Sequence, residues 1–95
     1  MLIPDTIEVA GHIYNIVIKD DPKKPLEFGY INFHTCVIRI SEHISATQKE
    51  ATLLHEILEA VNSNHRIDLT HKQIERLEAA LYPVVKENFI WRIRE

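Results

Sequence analysis

Thr52-Leu-Leu-His-Glu-Ile-Leu-Glu-Ala60 is the stretch of this chain that says most about its fold. Apolar residues recur in it and just beyond it at positions i, i+3, i+4 and i+7, namely Leu54, Ile57, Leu58 and Val61. That spacing predicts an amphipathic α-helix with one apolar face. His55 and Glu59 are also i and i+4, so the helix brings their side chains together on a single face.

Capping signals place this helix and a second one. Ser45 followed by Gln48 predicts that the first helix begins near residue 45, and we expect it to end near residue 64. Thr70 and Gln73 repeat the signal, so a second helix is predicted over residues 70–90. Its apolar positions are Ile74, Leu77, Leu81, Val84 and Val85. Pro83 lies inside it and should kink the helix or leave one carbonyl without its usual partner.

Residues 1–44 have the character of β-strands. Thr6–Ala10 and Ile13–Ile18 are rich in β-branched residues and flank Gly11, which predicts a hairpin. Gly29–His34 and Cys36–Ile40 indicate two further strands. We therefore predict an α+β fold in a single domain over residues 1–95, with a small antiparallel sheet of three or four strands followed by two packed helices.

Composition argues against several classes of protein. The 95 residues carry a formal net charge of −3, which disfavours binding to nucleic acid or to an anionic membrane surface. No stretch approaches the ~20 apolar residues of a membrane span, and we see no signal peptide. Cys36 is the single cysteine, so no intrachain disulfide can form. A reducing compartment, and hence a cytoplasmic location, is expected.

The first predicted helix contains a metal-site pattern, H-E-x-x-E, formed by His55, Glu56 and Glu59. In H-E-x-x-H helices two histidines bind zinc and the glutamate between them is the general base. Here Glu59 stands in the place of the second histidine. A third ligand must come from elsewhere, and the second helix offers several, namely His71, Glu75 and Glu78.

The same residues also have a plain structural explanation. Histidine and glutamate are common on exposed helix faces, and a short motif of this kind matches by chance. Two features favour a metal helix: the motif lies between Leu54 and Leu58 of the apolar face, and a capped helix with carboxylates follows. His71 is more simply a surface residue of a first helical turn, and His65, just past the first helix, is a weaker ligand candidate.

In these features the chain resembles the minimal zincin-like metallopeptidases of phages and prophages, the minigluzincins. The resemblance covers roughly residues 26–88, from the strand pair Gly29–Ile40 to Ile74-Glu-Arg-Leu-Glu-Ala-Ala-Leu-Tyr82 and Asn88. It implies that His55 is a metal ligand and Glu56 the catalytic base. It places Glu59 at the second histidine position and implies Glu75 as the third ligand, with Glu78 as its rival.

The replacement of histidine by Glu59 has a chemical consequence. One histidine and two carboxylates cancel the charge of Zn²⁺, so water at the site is acidified less than in an ordinary zinc enzyme. Oxygen ligands also favour Mn²⁺ relative to Zn²⁺. The sequence thus predicts a metallopeptidase-type protein that acts on a peptide or protein, with Zn²⁺ or Mn²⁺ or with its metal lost, and with weakened or lost hydrolysis. The alternative is an inactive scaffold that binds a protein through the helix pair or the Trp91 tail.

Overall fold

The computed structural model describes residues 3–20 and 28–88, and their fold is α+β, as predicted. The six elements in chain order are β1 (Thr6–Val9), β2 (His12–Ile18), β3 (Gly29–Asn32), β4 (Val37–Ile40), α1 (Ala46–His65) and α2 (His71–Asn88). The predicted extension of the second helix to residue 90 and the Trp91 tail lie outside the described residues.

The four strands form one mixed sheet in the order β1-β2-β4-β3. β1 pairs with β2 and β3 pairs with β4 in antiparallel fashion, but β2 and β4 are parallel neighbours. The expectation of a purely antiparallel sheet is therefore wrong for this central pair. The reason is the connection over residues 19–36, which includes β3 and is long enough for β4 to return beside β2 in the same direction.

The hairpin between β1 and β2 turns at Ala10 and Gly11. Both residues have positive φ, 52° and 79° respectively, as the two central residues of a type I′ turn require. This turn matches the right-handed twist of the flanking strands and fixes their register, with Val9 opposite His12. The predicted hairpin around Gly11 is confirmed.

One face of the sheet packs against the hydrophobic core. Ile16, Ile38 and Ile31 stand in one row across three neighbouring strands. The alternation predicted for β4 is confirmed, because Ile38 and Ile40 are fully buried. α1 covers this face, and its sheet-side residues in the cluster are Leu53, Ile57, Ala60 and Val61.

α1 lies between the sheet and α2. Among the described elements α2 packs on α1 and not on the sheet, in contrast to our expectation that both helices would cover one face. Leu54 and Ile74 are buried but lie outside the sheet-side cluster. Because α2 packs on α1 alone, Ile74 is buried against α1. The central helix is thus covered on two sides.

Both capping boxes are present, and a side chain fixes the connector between the helices. Ser45 Oγ accepts from the backbone of Gln48, and Thr70 Oγ1 accepts from that of Gln73. The Asn62 amide binds both the N–H and the C=O of Leu69, at 2.8 and 3.3 Å. α2 therefore starts beside the last turns of α1. It continues through Pro83 to Asn88.

Candidate metal centre

A cavity of about 890 Å³ opens between α1, the first half of α2 and the edge strand β3. The histidines and glutamates that line it are His55, Glu56, Glu59, His71, Glu75 and Glu78. We expected His55 and Glu59 to share a cleft with a carboxylate of the second helix, and this prediction is confirmed. Tyr30 and Ile31 of β3 form part of the opposite wall.

β3 can approach this cleft closely because residue 29 is glycine. A Cβ at Gly29 would lie 2.6 Å from the carbonyl oxygen of Arg39 and 2.6 Å from Cγ2 of Thr52, which is buried on α1. Neither distance is tolerated by a real side chain. Gly29 thus sets the closeness of the edge strand to the helix that carries the H-E-x-x-E motif.

α1 places His55 and Glu59 one turn apart, as their spacing predicted. Nε2 of His55 lies 3.6 Å from Oε1 of Glu59. Both side chains are partly buried, with 18% of His55 and 25% of Glu59 exposed. They lie at the cleft wall, where a bound ion would be shielded from bulk water on the α1 side.

α2 adds a histidine and a carboxylate from its first two turns. Nδ1 of His71 lies 3.6 Å from the same Glu59 oxygen, and the rings of His55 and His71 meet edge to face with centroids 5.4 Å apart. Oε1 of Glu78 lies 2.8 Å from Nδ1 of His55. Glu59 is therefore at the centre of the group, with one imidazole on each side.

His55, Glu59 and His71 form a group that could hold a metal ion. Their ligand atoms all lie within 4.8 Å of one another. Tetrahedral zinc with bonds of about 2.0–2.1 Å to nitrogen separates its ligand atoms by roughly 3.4 Å, close to the two 3.6 Å separations seen here. Two imidazoles and one carboxylate are also the donors of many catalytic zinc sites. The donor types thus fit zinc, and both histidine–glutamate separations are close to the spacing that zinc needs.

Glu75 is placed differently from the expected third ligand. It lines the cleft, but it is not a member of the three-residue group, and its Oε1 lies 2.9 Å from Nε2 of His71. His71 lies beside His55 and Glu59, at the place where we expected Glu75. Glu78, its rival, contacts His55 on the nitrogen that faces away from Glu59.

Glu56, the expected general base, lines the same cleft and is only 5% exposed. It follows His55 directly in α1, so the two side chains project from neighbouring positions around the helix. At this exposure the Glu56 carboxylate is protected from bulk water. The role of general base expected for Glu56 stays a prediction.

The register of the helix pair explains why His71 reaches the site. Polar contacts across the pair join His71 to Glu59, Glu78 to His55 and Tyr82 to Glu50. As α2 advances, its partners move back along α1, which is the pattern of an antiparallel pair with a short connection. The short connector at residues 66–70 was the sequence signal that could have favoured His71 over Glu75.

The Glu50–Tyr82 contact lies farther along the same helix pair. Tyr82 donates to Glu50 Oε1 at 2.6 Å. Burial, together with this hydrogen bond, raises the pKa of Tyr82 to about 12. Burial alone would raise the pKa of Glu50, but hydrogen bonding and nearby positive charge, including Lys86, bring it below its usual range. The contact therefore joins an ionised carboxylate to a neutral phenol.

A second group with metal-ligand side chains comprises Asp20, Glu42 and His43. The hydrogen bond from Ser41 is the main cause of the lowered pKa of Asp20, which also accepts from the backbone N–H of Glu42. Asp20 thus acts as a local cap between two segments of chain, and this group is largely exposed. His65 is exposed at the end of α1 and does not line the cleft.

Comparisons of the chain with protein-family models, with curated proteins and with solved structures find no match. In the part of the chain that the structure describes, neither helix combines the length and the apolar character that crossing a membrane would need.

Proposed function

We propose that this protein is a metal-dependent hydrolase of the metallopeptidase type that acts on peptides or proteins in the cytoplasm. The observation that carries the proposal is the convergence of His55, Glu59 and His71 on one cleft that also contains buried Glu56. The single cysteine and the net charge of −3 support a reducing compartment and a substrate other than nucleic acid. A phage or prophage origin follows only from the family resemblance.

The ligand set alters the charge argument made from the sequence. One histidine and two carboxylates would cancel the charge of Zn²⁺, whereas His55, His71 and Glu59 leave one positive charge. When bound, zinc in such a set acts as a Lewis acid toward a peptide carbonyl and lowers the pKa of water. Glu75 and Glu78 add negative charge near both histidines. We therefore expect peptide hydrolysis to be weakened and not abolished.

Glu56 has the role of general base in this proposal. It accepts a proton from the water that attacks the peptide carbonyl and then delivers that proton to the nitrogen of the leaving amine. The carbon–nitrogen bond breaks, and the products are a carboxylate and an amine. The burial of Glu56 limits competition from bulk water for its hydrogen bonds.

The edge strand β3 supports a peptide as the substrate. Within residues 3–20 and 28–88, β3 pairs with β4 on one side, and Gly29, Tyr30 and Ile31 of this strand line the cleft. A peptide bound in the cleft would lie between this strand and the helix that carries His55 and Glu56.

The test uses protein purified without chelator. We expect bound zinc or manganese by elemental analysis, slow cleavage of casein or of an unstructured peptide, and loss of cleavage on chelation. Glu56→Gln should abolish turnover while the metal content stays unchanged. Glu87→Gln, on the exposed end of α2, is the matched control and should keep full activity.

The second candidate is a catalytically inactive scaffold that binds a protein partner. It is favoured by a stripe of exposed apolar residues on α2, formed by Leu77, Leu81 and Val84 at i, i+4 and i+7. Contiguous apolar surface of this kind is typical of interaction sites. Metal-free protein with no hydrolysis under added Zn²⁺ or Mn²⁺ would exclude the hydrolase and leave this candidate.

A further inference from the structure

The two histidines of the ligand group direct different ring nitrogens toward Glu59. For His55 the nitrogen near Glu59 is Nε2, at 3.6 Å, while Nδ1 lies 2.8 Å from Glu78. For His71 the nitrogen near Glu59 is Nδ1, also at 3.6 Å, while Nε2 lies 2.9 Å from Glu75. Each ring thus has a carboxylate of α2 on its outer side.

The two outer carboxylates differ in how firmly they constrain the rings. An ionised carboxylate only accepts hydrogen bonds, so in a neutral His55 ring the hydrogen is on Nδ1, which is hydrogen-bonded to Glu78 at 2.8 Å. Nε2 of His71 lies within ion-pair distance of Glu75, at 2.9 Å, and this contact is a weaker constraint on the ring. The opposite nitrogen of a neutral imidazole then has a free lone pair. In His55 that nitrogen is Nε2, which is on the Glu59 side. In His71 the nitrogen on the Glu59 side is Nδ1.

The difference between the rings follows from their places in the helices. His55 lies in the middle of α1, and its i+4 neighbour Glu59 is on the inner, ligand side. His71 is the first residue of α2, and its i+4 neighbour Glu75 is on the outer side. On α1 the glutamate four residues after the histidine is therefore on the ligand side of the ring, whereas on α2 it is on the opposite side.

We propose that a zinc ion is bound here through Nε2 of His55, Nδ1 of His71 and the Glu59 carboxylate. Glu78 is the positioning residue that holds the His55 ring in the required tautomer, and Glu75 is a weaker positioning residue that contacts the outer nitrogen of His71. This inference rests on the metal site of the proposed function, and it adds the coordinating atom of each ring. It also assigns Glu75 to the support of a ligand, in place of the ligand role that the family resemblance implies.

Burial decides which positioning residue has the larger effect. The His55–Glu78 pair is mostly buried, with 18% and 26% of the two side chains exposed. The His71–Glu75 pair is exposed, at 68% and 57%. Removing a carboxylate that orients a ligating histidine typically lowers metal affinity 10–100-fold, and we expect about that loss for Glu78→Leu. Water screens exposed pairs, so Glu75→Leu should cost less than about five-fold.

Nitrogen NMR of the full chain tests the coordinating atoms directly. Long-range ¹H–¹⁵N spectra of protein with ¹⁵N-labelled histidine are recorded without metal and after addition of zinc, with ring signals assigned from His55→Gln and His71→Gln. We expect zinc to shift Nε2 of one ring and Nδ1 of the other. Zinc on the same nitrogen of both rings would overturn the proposal, as would an unperturbed His71 ring in zinc-bound protein.

Calorimetric zinc titration tests the positioning roles. Glu78→Gln keeps an oxygen that accepts from Nδ1 of His55, so it should recover most of the affinity that Glu78→Leu loses. A purely structural role would show no such rescue, and equal losses in the two variants would overturn the role of Glu78. Circular dichroism of each variant confirms that it is folded.

The outcomes separate this inference from the proposed function. Zinc bound through the two different nitrogens, in protein that hydrolyses no peptide, would uphold the coordination and refute the hydrolase. Hydrolysis that survives His71→Gln with unchanged zinc affinity would refute the coordination by His71 and uphold the hydrolase. A wild-type chain that binds no zinc at this group would refute both.

Discussion

The two sides of α1 are built from different chemistry. Toward the sheet, α1 presents Leu53 and Ala60, both fully buried, against Ile38 and Ile40, which are buried to the same extent. Toward α2, the contacts that fix the register are polar, and Ile74 is the one α2 residue that is fully buried among those the structure describes. One side therefore stabilises the domain, and the other places reactive groups.

This difference explains how a site fits into so small a protein. Apolar burial contributes about 25 cal/mol per Å² and does not depend on direction, so the sheet side can hold α1 without any polar contact. Hydrogen bonds and ion pairs are directional and add less to stability. The α1–α2 side has fewer buried apolar groups, which leaves room for five titratable residues of the cleft, namely His55, Glu59, His71, Glu75 and Glu78.

Two matched truncations, Leu53→Ala and Ile74→Ala, separate the two sides most strongly. Each removes a fully buried aliphatic side chain, and such losses cost about 2–5 kcal/mol of unfolding free energy because a cavity remains. We expect urea denaturation to show a cost in this range for both. Zinc affinity, measured in the folded protein, should fall several-fold for Ile74→Ala alone, because only that change loosens α2 against Glu59.

Leu81→Ala is the control for these truncations. Leu81 is also an apolar residue of α2 but is more than a third exposed, so its loss should cost less than about 1 kcal/mol. If Leu53→Ala weakened zinc binding as much as Ile74→Ala, the sheet side of α1 would also hold the ligand group in place, and the division between the two sides would be wrong.

The same division shows what the sequence could predict. The apolar periodicities and the two capping boxes were enough to predict both helices, because these signals are local. Gly11 and its flanking β-branched residues were likewise enough for the hairpin. The parallel pairing of β2 and β4 was missed, since it depends on the path of the whole connection between them.

Only the part of the candidate site that lies on α1 was predicted from the sequence. His55, Glu56 and Glu59 share one helix, so their spacing alone brings them to one place. The ligand from α2 depends on the register of α1 and α2. That register is set by the two hydrogen bonds between the Asn62 amide and the backbone of Leu69, which we call the Asn62 clamp. The family resemblance pointed to Glu75, whereas this clamp places His71 next to Glu59.

Tyr82→Phe tests the polar side of α1 at a point outside the ligand group. It removes the hydrogen bond to Glu50, and bonds to charged groups contribute about 1.5–3 kcal/mol. We expect a loss near the lower end of this range at neutral pH in urea denaturation, because Tyr82 is only partly buried. Tyr14→Phe is a matched control on the sheet side, where the hydroxyl accepts from the neutral Asn64 amide, and it should cost less.

The pH dependence of this contact has a definite sign at each end. The folded-state pKa of Glu50 is lowered, so its stabilisation is present above the ordinary glutamate pKa and is lost as the pH falls through the folded-state value. The pKa of Tyr82 is raised from 10.0 to about 12, so its stabilisation is complete below pH 10 and is lost between those values. The wild-type advantage over Tyr82→Phe should therefore shrink at both ends, and a constant difference would contradict the assignment.

The smallest expected effect is a gain in stability at the connector between the two helices. Arg66 caps α1 with φ 51° and ψ 48°, the left-handed conformation that glycine adopts without strain. For other residues this conformation costs about 1–2 kcal/mol, while glycine loses roughly 0.5–1 kcal/mol more backbone entropy on folding. Arg66→Gly should therefore raise the unfolding free energy by up to about 1 kcal/mol in urea denaturation.

Asp68→Gly is the matched comparison within the same connector. Asp68 has φ 69°, but aspartate tolerates the left-handed region better than arginine does, so its replacement should gain less or nothing. Neither change touches the clamp between Asn62 and Leu69, so zinc affinity should stay constant in both variants. A drop in zinc affinity with Arg66→Gly would mean that rigidity of the cap itself, beyond the Asn62 clamp, holds His71 against Glu59.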